Sequence, residues 1–139
     1  MSPAPRIAAL PPSDTWSDTW ENHTARAVTH WGCSGAVVSV EGELDASNAG
    51  ALADHVQHCV GYCEWLVLDL SDVEFIGTAG FWALKMLTDR CADAMVYCAV
   101  VPGAAAARLL RICDPGNTLP TAASVAAALP AAQGFGQVR

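Results

Sequence analysis

Three groups of side chains in this 139-residue chain stand out, by residue type and separation, as candidates for reactivity. The first centres on a hydroxyl. Residues 69–81 read Asp-Leu-Ser-Asp-Val-Glu-Phe-Ile-Gly-Thr-Ala-Gly-Phe, so Thr78 stands where a strand-and-loop pattern gives way to a helical one. A hydroxyl at a helix start can cap free amides, and an anion placed there meets the positive helix end. A phosphate on Thr78 would add about −1.5 to −2 charges. Asp69, Asp72 and Glu74 lie around it in sequence, and Lys85 is the nearest following cation. With no arginine cluster to order against, such a charge would repel a partner rather than build a new contact.

The second group is the thiols: Cys33, Cys59, Cys63, Cys91, Cys98 and Cys113. A chain this apolar needs no disulfide staples, and reduced cysteine is a small, often buried hydrophobe. No Cys-x-x-Cys pair is present, which argues against a thioredoxin-type site. A thiol switch using two of Cys59, Cys63, Cys91, Cys98 and Cys113 stays open as a rival. The third group, His55, His58, Cys59 and Cys63, suggests zinc by type. On a helical wheel Cys63 falls with the core, Cys59 on its flank, His55 at the border and His58 nearly opposite. Ligands on opposite sides of one helix cannot converge on one ion.

Two aromatic residues follow the hydroxyl. Phe81 and Trp82 are adjacent, about 100° apart on a helix, so both cannot face a core. Phe81 is expected to pack inward. Trp82 either covers a groove edge or presents an indole to a partner beside Thr78.

Composition narrows the classes. Hydrophobic residues make up 53% of the chain and charged residues 15%, enough to bury one core and to exclude global disorder. The formal charge of −7 repels phosphate backbones and anionic lipid, which argues against nucleic acid as a partner. No apolar run reaches the roughly 20 residues that span a bilayer. No basic stretch followed by an apolar block opens the chain, so the expected setting is the cytoplasm, away from the membrane. Ser34 and Ser39 lack a nucleophile-elbow context, and no glycine-rich phosphate loop opens a helix. The expectation is a non-enzymatic domain without a cofactor.

The elements that must position these residues follow from periodicity. Residues 1–24 read as a flexible arm, broken by Pro3, Pro5, Pro11 and Pro12. Ser-Asp-Thr-Trp occurs twice in tandem there, placing Trp16 and Trp20 on one face should the segment turn helical. Extended runs at 25–31 and 36–40 flank a glycine-bounded loop, as in a hairpin. Helical periodicity covers 46–60, where Ala49, Leu52, Ala53, Val56 and Val60 share a face. Buried strands are expected at 65–70 and 95–101, helices at 78–91, 104–112 and 122–129, and a short strand near Leu119. Residues 130–139 read as a tail. Strands separated by helices pair in parallel through right-handed crossovers, so the class is α/β, or α+β with a mixed sheet.

The stretch 69–81 resembles the signature of STAS domains, and especially of bacterial anti-sigma factor antagonists. In that family the pattern runs Asp-Leu-Ser, an apolar spacer, Phe-Ile-Asp-Ser, any residue, Gly-Leu. Upstream, Val40-Glu41-Gly42-Glu43-Leu44-Asp45 is similar to the family's Gly-Glu-Leu-Asp turn. The likeness covers residues 25–129 and implies a sheet of four to five strands with about four helices packed against it. It also implies a partner, an anti-sigma factor that is usually an ATP-dependent serine kinase, whose capture frees a sigma factor. The family's phosphorylated serine corresponds to Thr78, and Asp45 falls on the acidic turn beside it. The implied partner surface comprises Asp45, Gly77, Thr78, Ala79, Phe81 and Trp82. Two departures stand out: Gly77 replaces the usual Asp, and threonine replaces serine. A STAS-type sensor of small ligands or redox state, or an assembly subunit free of any kinase, is the alternative.

Overall fold

Alternation of buried and exposed positions builds the first half of the molecule as antiparallel strands. The computed structural model describes residues 16–138. Strands β2 (Ala25–Gly32) and β3 (Gly35–Leu44) form a hairpin, with Ser34 in the left-handed region at its turn. Ala25, Ala27, Thr29 and Trp31 face inward while Arg26 and His30 face solvent, the period-two pattern of a sheet with one covered face. Gly35 is required here, because a Cβ on it would sit 2.2 Å from the indole ring of Trp65.

Strand β1 (Trp16–Glu21) pairs antiparallel with β2, so that Trp20 meets Ala27 and Glu21 meets Arg26. This corrects the expected arm over residues 16–21, which are neither mobile coil nor helix. Trp20 packs on the core and stacks on His55 with ring centroids 6.3 Å apart. The remainder of the arm, residues 1–15, lies outside the described residues.

The second half is parallel. After helix α1 (Ala49–Val60), strand β4 (Trp65–Ile76) pairs with β3, and after helix α2 (Thr78–Asp93), strand β5 (Tyr97–Val101) pairs with β4. Helices α3 (Gly103–Cys113) and α4 (Val125–Val138) complete a five-stranded mixed sheet in the order β1-β2-β3-β4-β5 with four helices. Leu66, Leu68 and Leu70 alternate toward a core shared with Val56 of α1, Phe81 and Leu84 of α2 and Ala106 of α3. Burying each such leucine contributes about 1.5–3 kcal/mol. Trp65, Val67, Ala99 and Val101 point to the other face, where Ala128 and Ala132 of α4 cover them.

Two more boundaries differ from expectation. Strand β4 does not stop at Leu70 but continues to Ile76, with register shifts against β3 between Ser39 and Glu41 and between Gly42 and Glu43. The Asp69 carboxylate accepts from the Ser71 amide at 3.0 Å and from its hydroxyl at 2.7 Å, which stabilises the first irregularity. Helix α4 runs through Pro130 to Val138, so residues 130–138 are helix rather than tail. Ser124 caps it by accepting from the Ala127 amide, and the burial of Ala132 beyond the proline offsets the lost ladder bond. In place of a strand at Leu119, a single parallel bridge joins Val100 to Thr121.

Candidate functional site

The carboxyl ends of β3 and β4 lie side by side, with Leu44 paired to Ile76. The Gly77 amide donates to the Leu44 carbonyl at 3.0 Å, which ties the turn holding Asp45 to the start of α2. Function in α/β folds concentrates at such strand ends, where a loop crosses into a helix N-terminus. Here the crossing is a single residue, Gly77.

Gly77, not Thr78, is the N-cap of α2. Its backbone is extended (φ −93°, ψ −177°), and its carbonyl accepts from the amides of Gly80 at 2.9 Å and Phe81 at 3.3 Å. Thr78 is the first helical residue, and among the described residues its hydroxyl, which could have capped the helix, makes no hydrogen bond. The hydroxyl stands exposed at the helix start. The conformation of Gly77 admits any residue, and a Cβ there would touch the Phe75 ring at an ordinary 3.7 Å. Gly80 differs: a Cβ would fall 2.4 Å from Ile76 Cγ1, so this glycine lets the first turn of α2 close on the end of β4.

One turn past Thr78, Trp82 is 66% exposed, whereas Phe81 is buried at 5%. Their rings meet edge to face with centroids 5.2 Å apart, so the buried phenyl steadies the exposed indole. Met86 continues the same helical face, and Phe75, just before the helix, is 52% exposed. Ala79 is half-buried. Of the expected surface residues, Gly77, Thr78, Ala79 and Trp82 share one helix start, whereas Phe81 is corrected to a core residue that supports them from within.

Asp45 serves the neighbouring turn. Its carboxylate accepts from the Ser47 hydroxyl at 2.5 Å and from the Ser47 amide at 2.9 Å. Those donors hold its pKa below the usual carboxylate range, with a smaller contribution from the nearby charge of His23. Asn48, fully buried, ties this turn to the β1–β2 loop: its amide group donates to Thr24 Oγ1 at 2.8 Å and to the Glu43 carbonyl at 2.9 Å. Asn48 and His23 were not candidates on sequence grounds. An Asn before an apolar helical run does carry an N-terminal signal. Nothing local links His23 to Asp45.

Negative charge dominates this end. Asp72 and Glu74 are exposed on the final stretch of β4, and Lys85, the nearest cation along α2, is already paired with Asp89 at 3.3 Å.

Four of the thiols gather around the C-terminal ends of α1 and α2. Burial pushes Cys59, at the end of α1, up to about 11 and raises Cys63 in the following turn. Cys98 on β5 is raised by a thiol–thiol hydrogen bond with Cys91, in the last turns of α2, and by burial. β5 is an edge strand and Cys98 is half-buried there, not sunk in a central strand. Cys113 is half-buried at the end of α3, and Cys33 is exposed in the β2–β3 turn. His58 points to solvent while Cys59 points inward, so the histidine–cysteine group is not brought together. Among the described residues no helix is long and apolar enough to cross a membrane.

Comparison with known proteins agrees with this geometry. A crystal structure of an anti-sigma factor antagonist from Mycobacterium paratuberculosis superposes with a TM-score of 0.63 at 25% identity, covering 88% of this chain and 97% of the other. The anti-sigma factor antagonist SpoIIAA in its unphosphorylated form gives a TM-score of 0.61 over 86% of this chain and 97% of its own, at 9% identity, a likeness of fold alone. Osmosensory protein A of Mycobacterium tuberculosis is 35% identical over 97 residues, which is 67% of this chain and 61% of that relative's length. Residues 24–128 match the STAS domain, and the chain belongs to the STAS domain family.

Proposed function

We propose that this chain is an anti-sigma factor antagonist: a cytoplasmic, non-catalytic protein that binds an anti-sigma factor and thereby releases a sigma factor. The observation that carries this reading is the exposed step from Thr78 to Trp82 at the joined ends of β3 and β4. A two-χ indole held by a buried phenyl is a low-entropy anchor of the kind that dominates protein interfaces. The Mycobacterium paratuberculosis neighbour, an anti-sigma factor antagonist over nearly its whole length, supports the assignment.

Control by phosphorylation at Thr78 is the finer part of the proposal. The partner is then a kinase-type anti-sigma factor, and the phosphate switches binding off. The hydroxyl is free of any capping bond, so its modification would break no structural contact. A phosphate on this exposed hydroxyl, with Asp72 and Glu74 exposed shortly before it, would act on the partner by repulsion and desolvation. The test is a titration of purified anti-sigma factors from the source organism with the full chain, with and without ATP. The proposal expects saturable binding to one of them, lost when ATP is present and restored in Thr78→Ala. Binding that is indifferent to ATP would remove the switch and keep the antagonist.

A second reading, a STAS sensor or assembly subunit free of any kinase, draws on the osmosensory relative and on Gly77, which withholds the family carboxylate beside the hydroxyl. In that case every anti-sigma factor titration would be flat.

A further inference from the structure

Beside the helix start, an open groove of about 210 Å³ runs between the end of β4 and α3. Its walls include Glu74, Phe75, Ala105, Arg108, Leu109 and Ile112. Ile112 is 77% exposed and Phe75 52%, two large apolar side chains that the fold leaves uncovered on facing elements. A single such residue is ordinary, but two facing each other across a groove mark a docking place. The groove is continuous with the helix start, because the Phe75 ring that lines it also borders Gly77.

Charge says what fits there. The whole chain carries −7, yet α3 presents Arg108 and Arg111 to solvent, and neither joins an ion pair among the described residues. By contrast Arg26 lies between Glu21 and Glu41, and Lys85 is paired with Asp89. The groove therefore joins apolar walls to the uncommitted guanidinium of Arg108, with Glu74 as the carboxylate on its far side and Arg111 exposed about one turn further along α3. Guanidinium groups select carboxylates through paired donors, and their position at the rim sets register and association rate.

We infer that the groove between Phe75 and Ile112 receives an acidic amphipathic helix of the partner protein, its leucine-type side chains between the two walls and its carboxylates on Arg108 and Arg111. The identification of that protein as an anti-sigma factor rests on the function proposed above; the groove's preference for an acidic apolar helix does not. An amphipathic helix laid into an apolar groove is a recurring mode of recognition.

The test uses two synthetic helical peptides with leucines on one face, flanked by glutamates in one and by lysines in the other. Each is titrated into the full isotopically labelled chain while amide shifts are followed. The glutamate peptide should shift Phe75, Ala105, Leu109 and Ile112 saturably, and the lysine peptide should not. The double variant Arg108→Glu/Arg111→Glu should weaken the glutamate peptide by about five-fold or more, and Ile112→Asn should weaken it at unchanged melting temperature. Thr78→Glu should leave these shifts in place, so a failure of the Thr78 surface and a failure of the groove give different results. Equal response to both peptides, saturable shifts elsewhere, or no shifts at all would overturn the inference. Concentration-dependent shifts of the same amides in the chain alone would assign the groove to a second copy and overturn it as well.

Discussion

Helix α2 carries candidate chemistry at both ends, and the two ends behave oppositely. At its start, Thr78 and Trp82 are exposed, no cap bond engages the hydroxyl, and the nearest cation along the helix, Lys85, is paired with Asp89. In its last turns, Cys91 is buried and shares a hydrogen bond with Cys98, while Cys59 and Cys63 are held protonated by burial. Thirteen residues separate Thr78 from Cys91, about 20 Å along the axis. Reactivity needs access as well as the right atom, and a thiol in apolar surroundings is kept from its nucleophilic form. The hydroxyl end is open to solvent, whereas the thiol end is packed.

The largest effect is expected at the thiol end. An unfolded thiol loses its proton near pH 9, and Cys59 in the fold near pH 11. Below that window both states are protonated, and within it the unfolded state ionises first. Stability contributed by the protonated thiol is therefore lost as pH rises from about 9 to 11, by up to about 3 kcal/mol. Denaturant melts of wild type and Cys59→Ala at the two pH values measure it as the difference in slope. Alkylation should accompany this pattern, with Cys33 labelled in the native state and Cys59 and Cys98 only on unfolding. Rapid native labelling of Cys98 would revive a redox role.

Next in size is the packing that sets the hydroxyl end in place. Gly80→Ala forces a methyl against Ile76 and should cost about 1–3 kcal/mol of folding stability, read from denaturant unfolding. A neutral result would mean the first turn of α2 is looser than the close approach indicates.

The smallest effect is expected of Thr78→Ala. No cap bond is lost, so its melting curve should stay within about 0.5 kcal/mol of wild type. A loss near 1 kcal/mol would restore the hydroxyl as a cap and weaken its availability for modification.

Much of this arrangement is legible in the residues. The stretch 69–81 announces a strand passing into a helix, the helices between strands announce parallel pairing, and adjacency alone separates Phe81 from Trp82. Other features resist for identifiable reasons. A spacing of four is even, so it keeps the face of a strand as readily as that of a helix, and the tandem ahead of residue 21 could not announce β1. Ser71 and Asp72 read as loop because register shifts break the alternation that marks a strand. The cap of α2 passes from Thr78 to Gly77 by backbone conformation, which composition does not encode. Asn48 reaches Thr24 across 24 positions, a contact that only the closed sheet creates.

The exposed start of α2 is proposed as the protein-binding surface. Its most direct test is a binding titration of wild type, Thr78→Glu and Trp82→Ala against the anti-sigma factor that the wild-type chain binds, with melting curves as folding controls. Glutamate adds less charge than phosphate, so each variant should lose at least about 1 kcal/mol, some five-fold in affinity, at unchanged stability. Wild-type affinity in both variants, or no anti-sigma factor bound by the wild-type chain, would contradict it.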